Sequence, residues 1–539
     1  MPCTTILVGK KASYDGSTII ARNDDSGAGH YTPKKFVVVQ PDEQPRHYKS
    51  VLSHVEIELP ENPMRYTAVP NALKGKGIWA ASGVNAENIA MTATETITSN
   101  DRVLGADPLV TYIPAEENDG IEQIGGIGEE DLVVLTLPYI HSAREGVTRV
   151  GALLEQYGTY EMNGMAFQDT EEIWWLESIG GHHWIACRVP DEAYVMMPNQ
   201  LGIDLFDLED ALGEQENFMC SADLREFMEE NHLDLTMRDS FAEGCCGHCG
   251  CSDEDASAKV EDETKKCCEG EGEDDQECCG KCGSWFNPRE AFGSHDDADH
   301  VYNTPRAWFI GRYFNPGTVQ WDGPEADYTP LSDDIPWCMV PERKVTVEDV
   351  KYVLSSHYQG TPYDPYASYG DPAMRGAYRS IGVNRTDFVA IIQLRGDKPK
   401  EYQAVEWLAF GSNAFNAAVP FYANVETTPE YLSNTTKEVT TNSFYWSARL
   451  IEALADANYG KNLNHIEHYQ QAVQSKGHAL INQYDRLLAE APSEEQIPLQ
   501  EKANEAIAQM LRKETGKTLD EVLFDATNHM KNQYARSDH

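Results

Sequence analysis

The stretch Cys3-Thr4-Thr5-Ile6-Leu7-Val8-Gly9, answered further on by Ser17-Thr18-Ile19-Ile20-Ala21-Arg22-Asn23-Asp24-Asp25, decides how this chain is read. Both runs are β-branched and apolar, and the polar connection between them ends in Asp15-Gly16, so the pair reads as an antiparallel hairpin. With the turn centred near residues 12 and 13, Arg22 falls roughly opposite Cys3. A guanidinium there favours thiolate over thiol. If Met1 and Pro2 are removed, Cys3 carries a thiol and a primary α-amine together, a nucleophile with its own general base. The ordinary pKa values, about 8.5 for the thiol and about 7.7 to 8 for the amine, leave both useful near neutrality after modest shifts. Asp25, three residues past Arg22, is placed to orient that amine. Taken alone, the stretch also fits a surface hairpin holding an ordinary buried cysteine.

Composition narrows the function classes. The chain has 539 residues, with 88 acidic against 43 basic side chains and a formal net charge of -45. Such an excess of negative charge disfavours nucleic acid and anionic membrane surfaces as partners. There is neither a charged-then-apolar leader nor a run of 18 or more apolar residues, so no signal peptide or membrane span is expected and the protein is assigned to the cytoplasm. With 41% hydrophobic residues a large core is available, and the length suggests about two to four domains.

Three regions follow from the patterning. Residues 3–243 alternate strand-like runs, such as Asp131 to Leu137 and Trp184 to Val189, with helical stretches such as Ser142 to Tyr157. Residues 284–425 return to strand-rich pattern, including Phe388 to Leu394, and would complete the sheets of the first region. From 426 to 539 the pattern is helical: Ile466, Tyr469, Val473, Leu480, Tyr484 and Leu487 recur at helical spacing. That stripe packs against the catalytic body or against a neighbouring subunit of a homo-oligomer.

Between the first two regions lies a Cys-rich acidic insertion, residues 244–283, which holds nine of the 13 cysteines. It contains two Cys-x-x-Cys knuckles, Cys246 with Cys249 and Cys279 with Cys282, a spacing that lets paired sulfurs reach one tetrahedral metal. Zinc in a structural role is the expected ion. The other reading is an acidic loop with unliganded thiols, since the segment has 12 acidic and 4 basic residues and too little apolar content to fold without a ligand.

Further segments resemble one family, the bacterial dipeptidase A cysteine peptidases of the N-terminal-nucleophile hydrolase superfamily. Besides Cys3-Thr4-Thr5, Asp15-Gly16-Ser17 and Arg22, the resemblance is carried by Gly83-Val84-Asn85-Ala86-Glu87-Asn88, Ala93-Thr94-Glu95-Thr96, Ile173-Trp174-Trp175-Leu176-Glu177, Gly181-His182-His183-Trp184 and Pro198-Asn199-Gln200. It resumes after the insertion at Asn303-Thr304-Pro305-Arg306, His357 to Asp364, Asn384-Arg385-Thr386, Trp407 to Gly411 and Val419-Pro420-Phe421-Tyr422. The resemblance implies an α+β catalytic domain formed by residues 3–243 and 284–425, a four-layer αββα sandwich whose two antiparallel sheets present Cys3 at a strand end. It also implies Cys3 as nucleophile, Arg22 and Asp25 flanking it as in the related bile-salt hydrolases and penicillin V acylases, and Asn85 and Asn199 at the oxyanion hole and the α-amine. A preorganised amide donor at the developing oxyanion is worth about 2.7 to 4 kcal/mol.

One departure matters: Pro2 stands between the initiator and Cys3. While the Pro2-Cys3 bond is intact the Cys3 nitrogen is an amide. The encoded chain is therefore expected to be an inactive precursor, with residues 1–2 a leader removed by self-processing through an N-to-S acyl shift or by another peptidase. The expected activity is hydrolysis of dipeptides through a thioester, with no cofactor needed for catalysis. Two alternatives stand beside it: an N-acyl amide hydrolase using the same constellation, and a metal-binding or sensing protein on a hydrolase-like scaffold. Among the remaining candidates, Arg306 is read either as a bidentate grip on a substrate carboxylate or as part of a structural ion pair. His182-His183 and the thiols of Cys187, Cys220 and Cys338 are read as structural, and His357 to Tyr366 as a lid or a rigid surface loop.

Overall fold

The first two apolar runs pair as their alternation demands. The computed structural model of the chain describes residues 3–235 and 285–532. In it β1 (Thr4–Val8) and β2 (Thr18–Asp25) are antiparallel, with Thr5 opposite Arg22 and Val8 opposite Ile19. The turn centre lies one residue further along than expected, so the register differs by two. Side chains alternate with period two, and a slip of two leaves every one on its own face. Cys3, Thr5, Arg22 and Asp24 therefore share a face. The connection is fixed by Gly9, where a Cβ would collide with the Pro190 and Asp191 carbonyl oxygens.

Eleven more strands extend this hairpin into two sheets: β3 (Ser82–Val84), β4 (Ala90–Thr96), β5 (Asn163–Gln168), β6 (Ile173–Ile179), β7 (His183–Arg188), β8 (Tyr194–Met197), β9 (Phe218–Cys220), β10 (Cys338–Met339), β11 (Thr386–Leu394), β12 (Ala404–Phe410) and β13 (Val419–Tyr422). The seven-stranded sheet runs β10-β8-β1-β2-β11-β12-β13 and the six-stranded sheet β9-β7-β6-β5-β4-β3. Neighbouring strands are antiparallel throughout both. With the helices below, this is a mixed α+β fold.

Strand alternation sorts the apolar residues into separate cores. Leu7, Ile20 and Ile392 from the larger sheet join Ala166, Trp175 and Ile185 from the smaller in one cluster. Ile6, Ile19 and Ala21, one residue away in each strand, face a second cluster with α3 (Thr304–Phe314), α4 (Val347–Leu354), α6 (Tyr459–Glu490) and α7 (Ser493–Asn528). Phe167, Trp174 and Leu176 face a third, with α1 (Leu132–Thr136) and α2 (Ala143–Tyr157).

Two expectations change in detail. The run Asp131 to Leu137, read as a strand, is helical, because a short unbroken apolar run carries no period that separates helix from strand. Its residues Leu132–Thr136 are all buried, and a 3-10 turn with Pro138 follows at once. On α6, Ile466, Tyr469, Val473 and Tyr484 are buried as expected, but Ile481 and Leu488 replace Leu480 and Leu487 on the buried face. A helix turns 3.6 residues at a time, so a stripe continued over six turns drifts by a residue. Gly477 lies between, against Pro420 of β13. The C-terminal helices share the core of the larger sheet and also close a small cluster of their own, Ile451, Ala455, Ile466 and Val522 with Phe415. Among the described residues no helix is long and apolar enough to cross a membrane.

One buried group gives the fold a pH dependence. Glu406 on β12 is fully buried, and burial outweighs the hydrogen-bonding help of Thr67 and pushes its pKa up to about 8. Its folded pKa thus lies above its unfolded one, so its cost to stability is absent below the unfolded value and grows as pH rises toward 8. Glu406→Gln should leave stability near the wild-type value at pH 4 and exceed it by more than about 1 kcal/mol at pH 8, as urea denaturation at the two pH values would measure.

Candidate active site

Because Cys3 precedes β1 directly and shares a face with Arg22 and Asp24, the end of the hairpin gathers reactive groups. The Arg22 guanidinium makes three contacts through one nitrogen: Nη2 lies 2.8 Å from Cys3 Sγ, 2.9 Å from Asp24 Oδ1 and 3.1 Å from Glu129 Oε1. The sulfur and the two carboxylates lie within 4.8 Å of one another, a spacing suited to a cation, and the cation that joins them is Arg22. Asp24 Oδ2 is paired with Lys34 Nζ at 2.9 Å. The side chains of Arg22, Asp24, Lys34 and Glu129 have no exposed surface, and Cys3 is likewise buried. Burial opposes ionisation of Asp24, yet the Lys34 and Arg22 cations outweigh it and hold its pKa below the usual carboxylate range.

A second arginine pins the backbone of the same residue. Arg306 on α3 is fully buried. Its Nη1 donates to the Cys3 carbonyl and, at 2.7 Å, to Thr4 Oγ1, while Nη2 donates to Asn199 Oδ1 and Asn303 Oδ1, both at 2.7 Å. Of the two roles open to it, a grip on a substrate carboxylate is not what this geometry offers, because the guanidinium is spent on holding Cys3, Thr4, Asn199 and Asn303 together. Asn199 donates through Nδ2 to the Thr96 carbonyl at 2.9 Å and is tied to Asn303 in both directions. Asn85 is placed differently. Its Nδ2 donates to the Leu137 and Ile140 carbonyls at 2.9 and 2.8 Å, and its Oδ1 accepts from the Glu87 and Ile89 amides at 3.0 Å each. Both of its N–H groups are used in stitching the β3–β4 turn to the segment after α1, so the expected oxyanion role for Asn85 is corrected: an amide with no hydrogen left cannot stabilise an oxyanion.

Comparison with known proteins identifies the family. The model for Peptidase family C69 matches residues 2–472. The chain belongs to that family. It is 51% identical to the dipeptidase of Bifidobacterium longum (strain NCC 2705) with both chains covered in full, and 48% identical to a probable dipeptidase A of Streptococcus pyogenes serotype M3, again over the whole of both. It is 41% identical to the dipeptidase A of Lactobacillus helveticus over 99% of this chain and 98% of that one.

The remaining candidates of this C69 peptidase separate from the thiol. Asp25 turns to the face opposite Asp24, where Arg379 pairs with it and Thr386 Oγ1 donates to it at 2.5 Å. His182 and His183 both converge on Asp107, at 2.9 and 2.7 Å, because His182 sits in the turn before β7 and escapes strand alternation. Burial opposes ionisation of Asp107, but the hydrogen bonds from His183 and His182 bring its pKa to about 2. Cys187, Cys220 and Cys338 line the inter-sheet cluster. Burial pushes the Cys187 thiol well up, and the Cys220 and Cys338 thiols up to about 12, which suits inert packing. His357 is buried between Asp364 and Tyr459, both at 2.9 Å, so the His357 to Tyr366 segment is anchored to α6. The metal candidates Cys246, Cys249, Cys279 and Cys282 lie outside the described residues.

Sequence reasoning missed three members of the cluster. Asp24 was readable, since it sits two residues beyond Arg22 on the same strand face. Glu129 and Lys34 carried no local signal; Glu129 stands 107 residues from the arginine it meets. For Asn85 the turn-anchoring geometry makes a sharp expectation. Asn85→Ala leaves two buried carbonyls and two amides unpaired, at about 1–3 kcal/mol for each group, so the melting temperature should fall markedly while kcat of the folded fraction stays within about twofold. A kcat loss of the size expected for an oxyanion-hole donor, about 10² or more, would restore the catalytic role.

Proposed function

We propose that this C69 peptidase is a cysteine dipeptidase that hydrolyses dipeptides through Cys3 after residues 1–2 are removed. The observation that carries the reading is the 2.8 Å contact between the Arg22 guanidinium and the sulfur of a cysteine near the start of the chain. Names of relatives matching over 98% or more of their length, dipeptidase and dipeptidase A, support the substrate class.

In this reading the α-amine exposed by cleavage of the Pro2-Cys3 bond takes the thiol proton, directly or through water, and Arg22 stabilises the thiolate. The thiolate attacks the scissile carbonyl, and the ammonium returns its proton to the departing amino acid. Water then cleaves the thioester in a second half-reaction of the same form. Backbone N–H groups are assigned to the oxyanion in place of Asn85, with Asn199 braced beside Cys3 by Arg306. Asp25 is assigned to the α-amine, in keeping with its position at the end of β2.

The finer architectural reading belongs here too: a four-layer αββα sandwich of the N-terminal-nucleophile type. It is supported by three cores in series, with helices outside each sheet and one cluster between the sheets. A cytoplasmic location is proposed on the acidic composition and the unbridged thiols of Cys187, Cys220 and Cys338.

Intact-mass measurement joined to dipeptide turnover tests the reading. The active protein should begin at Cys3, Cys3→Ala should lose more than about 10³-fold in kcat/KM, and N-acetylated dipeptides and other N-acyl amides should be poor substrates. Full activity in a chain still carrying Pro2 would refute the nucleophile. Preference for N-acyl amides over dipeptides would move the enzyme to the acylase class.

A further inference from the structure

We propose that Lys34 is a positioning residue that sets the ionisation of Cys3 through Asp24 and Arg22, a role that rests on Cys3 being the nucleophile. The three side chains form one line of contacts. Lys34 Nζ stands 2.9 Å from Asp24 Oδ2, the other Asp24 oxygen stands 2.9 Å from Arg22 Nη2, and that nitrogen stands 2.8 Å from the Cys3 sulfur. None of the three has exposed surface, so water does not screen the charges as it does at a protein surface.

The charge arithmetic explains why a second cation is needed. Arg22 favours the thiolate, but it is shared between two carboxylates, Asp24 and Glu129, that both oppose it. Lys34 cancels one of them from behind and leaves the guanidinium available to sulfur. Lys34 is itself well fixed: its Nζ donates to the Trp79 carbonyl at 3.2 Å and lies 5.7 Å from the centre of the Phe388 ring. Asp387 sits at the irregularity where β11 meets β2 and interacts with both Asp24 and Lys34. Its carboxylate is held by Ser26 Oγ at 2.5 Å, the Thr32 amide at 2.7 Å and Arg449 of α5 (Phe444–Asp456) at 3.0 Å. Burial, then the negative charge of Asp24, push its pKa up to about 7.

Among the described residues, the groups facing Cys3 include Arg22 and Asp24 from β2, Glu129 from the segment before α1 and Arg306 from α3, with Lys34, Asp387 and Arg449 behind Asp24. Glu161 lies next to this set, accepting from the Glu129 amide at 3.0 Å.

The sign of the effect separates this role from a structural one. Alkylation of Cys3 in the mature enzyme, followed against pH on its N-terminal peptide by mass spectrometry with iodoacetamide, reports the thiolate directly. Lys34→Met leaves Asp24 uncompensated and should raise the midpoint by roughly one unit or more, with about a tenfold fall in kcat/KM at pH 7. Lys34→Arg should restore both. Asp24→Asn removes the opposing charge and should move the midpoint down. A merely destabilising substitution gives no such opposition of sign. An unmoved midpoint in folded Lys34→Met, or shifts of the same sign in Lys34→Met and Asp24→Asn, would overturn the proposal. Should Lys34→Met fail to fold, an unmoved or raised midpoint in Asp24→Asn does so alone. Alkylation needs no substrate, so absence of dipeptide turnover by the wild-type protein counts against the dipeptidase reading only, and turnover with unmoved midpoints counts against Lys34 only.

Discussion

A single guanidinium nitrogen touching a thiol and two carboxylates, sealed from water, is the contact on which the rest of this structure depends. Buried charges are costly unless each is paired and hydrogen-bonded, and the surroundings of Arg22 meet that condition by alternation of sign. Arg22 lies between Cys3, Asp24 and Glu129; Asp24 lies between Arg22 and Lys34; Asp387 lies between Ser26 and Arg449. Such a set holds its geometry because removing any one member strands another. The same low-dielectric surroundings that make it costly also let one positive charge act strongly on one sulfur.

The sheet makes this arrangement possible by separating neighbours. Arg22-Asn23-Asp24-Asp25 is a wholly polar stretch that is wholly buried, and it is tolerated because alternate residues have partners on opposite faces. Arg22 and Asp24 look toward the thiol, whereas Asn23 donates to the Leu354 and Ile381 carbonyls at 2.9 and 3.1 Å and Asp25 is taken by Arg379 and Thr386. A register slip of one residue would exchange the two sets and bury four polar groups without partners. The apolar half of β2, with Ile20 in one cluster and Ile19 and Ala21 in another, opposes that slip independently.

This is also why so much of the site was legible in sequence. The hairpin and the nearness of Arg22 to Cys3 followed from two β-branched runs, and an error of two in register was harmless because it preserved the face. Passing over Asp24 ignored that same parity, which puts it on the face of Arg22. Asn85 was assigned from its motif, yet the atoms that decide its role are the Leu137 and Ile140 carbonyls, 52 and 55 residues away. The helix at Leu132–Thr136 was hidden because total burial erases the period that distinguishes helix from strand. Lys34 and Glu129 reach the site through loops whose paths no local pattern encodes.

The distribution of anchors bears on maturation. A strand terminus ordinarily frays, and a nucleophile at a newly made chain end would be poorly placed if it did. Here the Cys3 carbonyl is held by Arg306, its sulfur by Arg22, and the adjoining Thr4 hydroxyl again by Arg306, while Thr5 is paired on both sides, with Arg22 and with Met197. Each of these contacts lies on Cys3 or beyond it, so none depends on the two residues that precede it. Arg306 is in turn braced by Asn199 and Asn303, which ties the strand end to α3. In the proposed mature form a chain beginning at Cys3 keeps every one of these contacts, and the amine made by cleavage of the Pro2-Cys3 bond would sit on the same residue as the sulfur it is proposed to deprotonate.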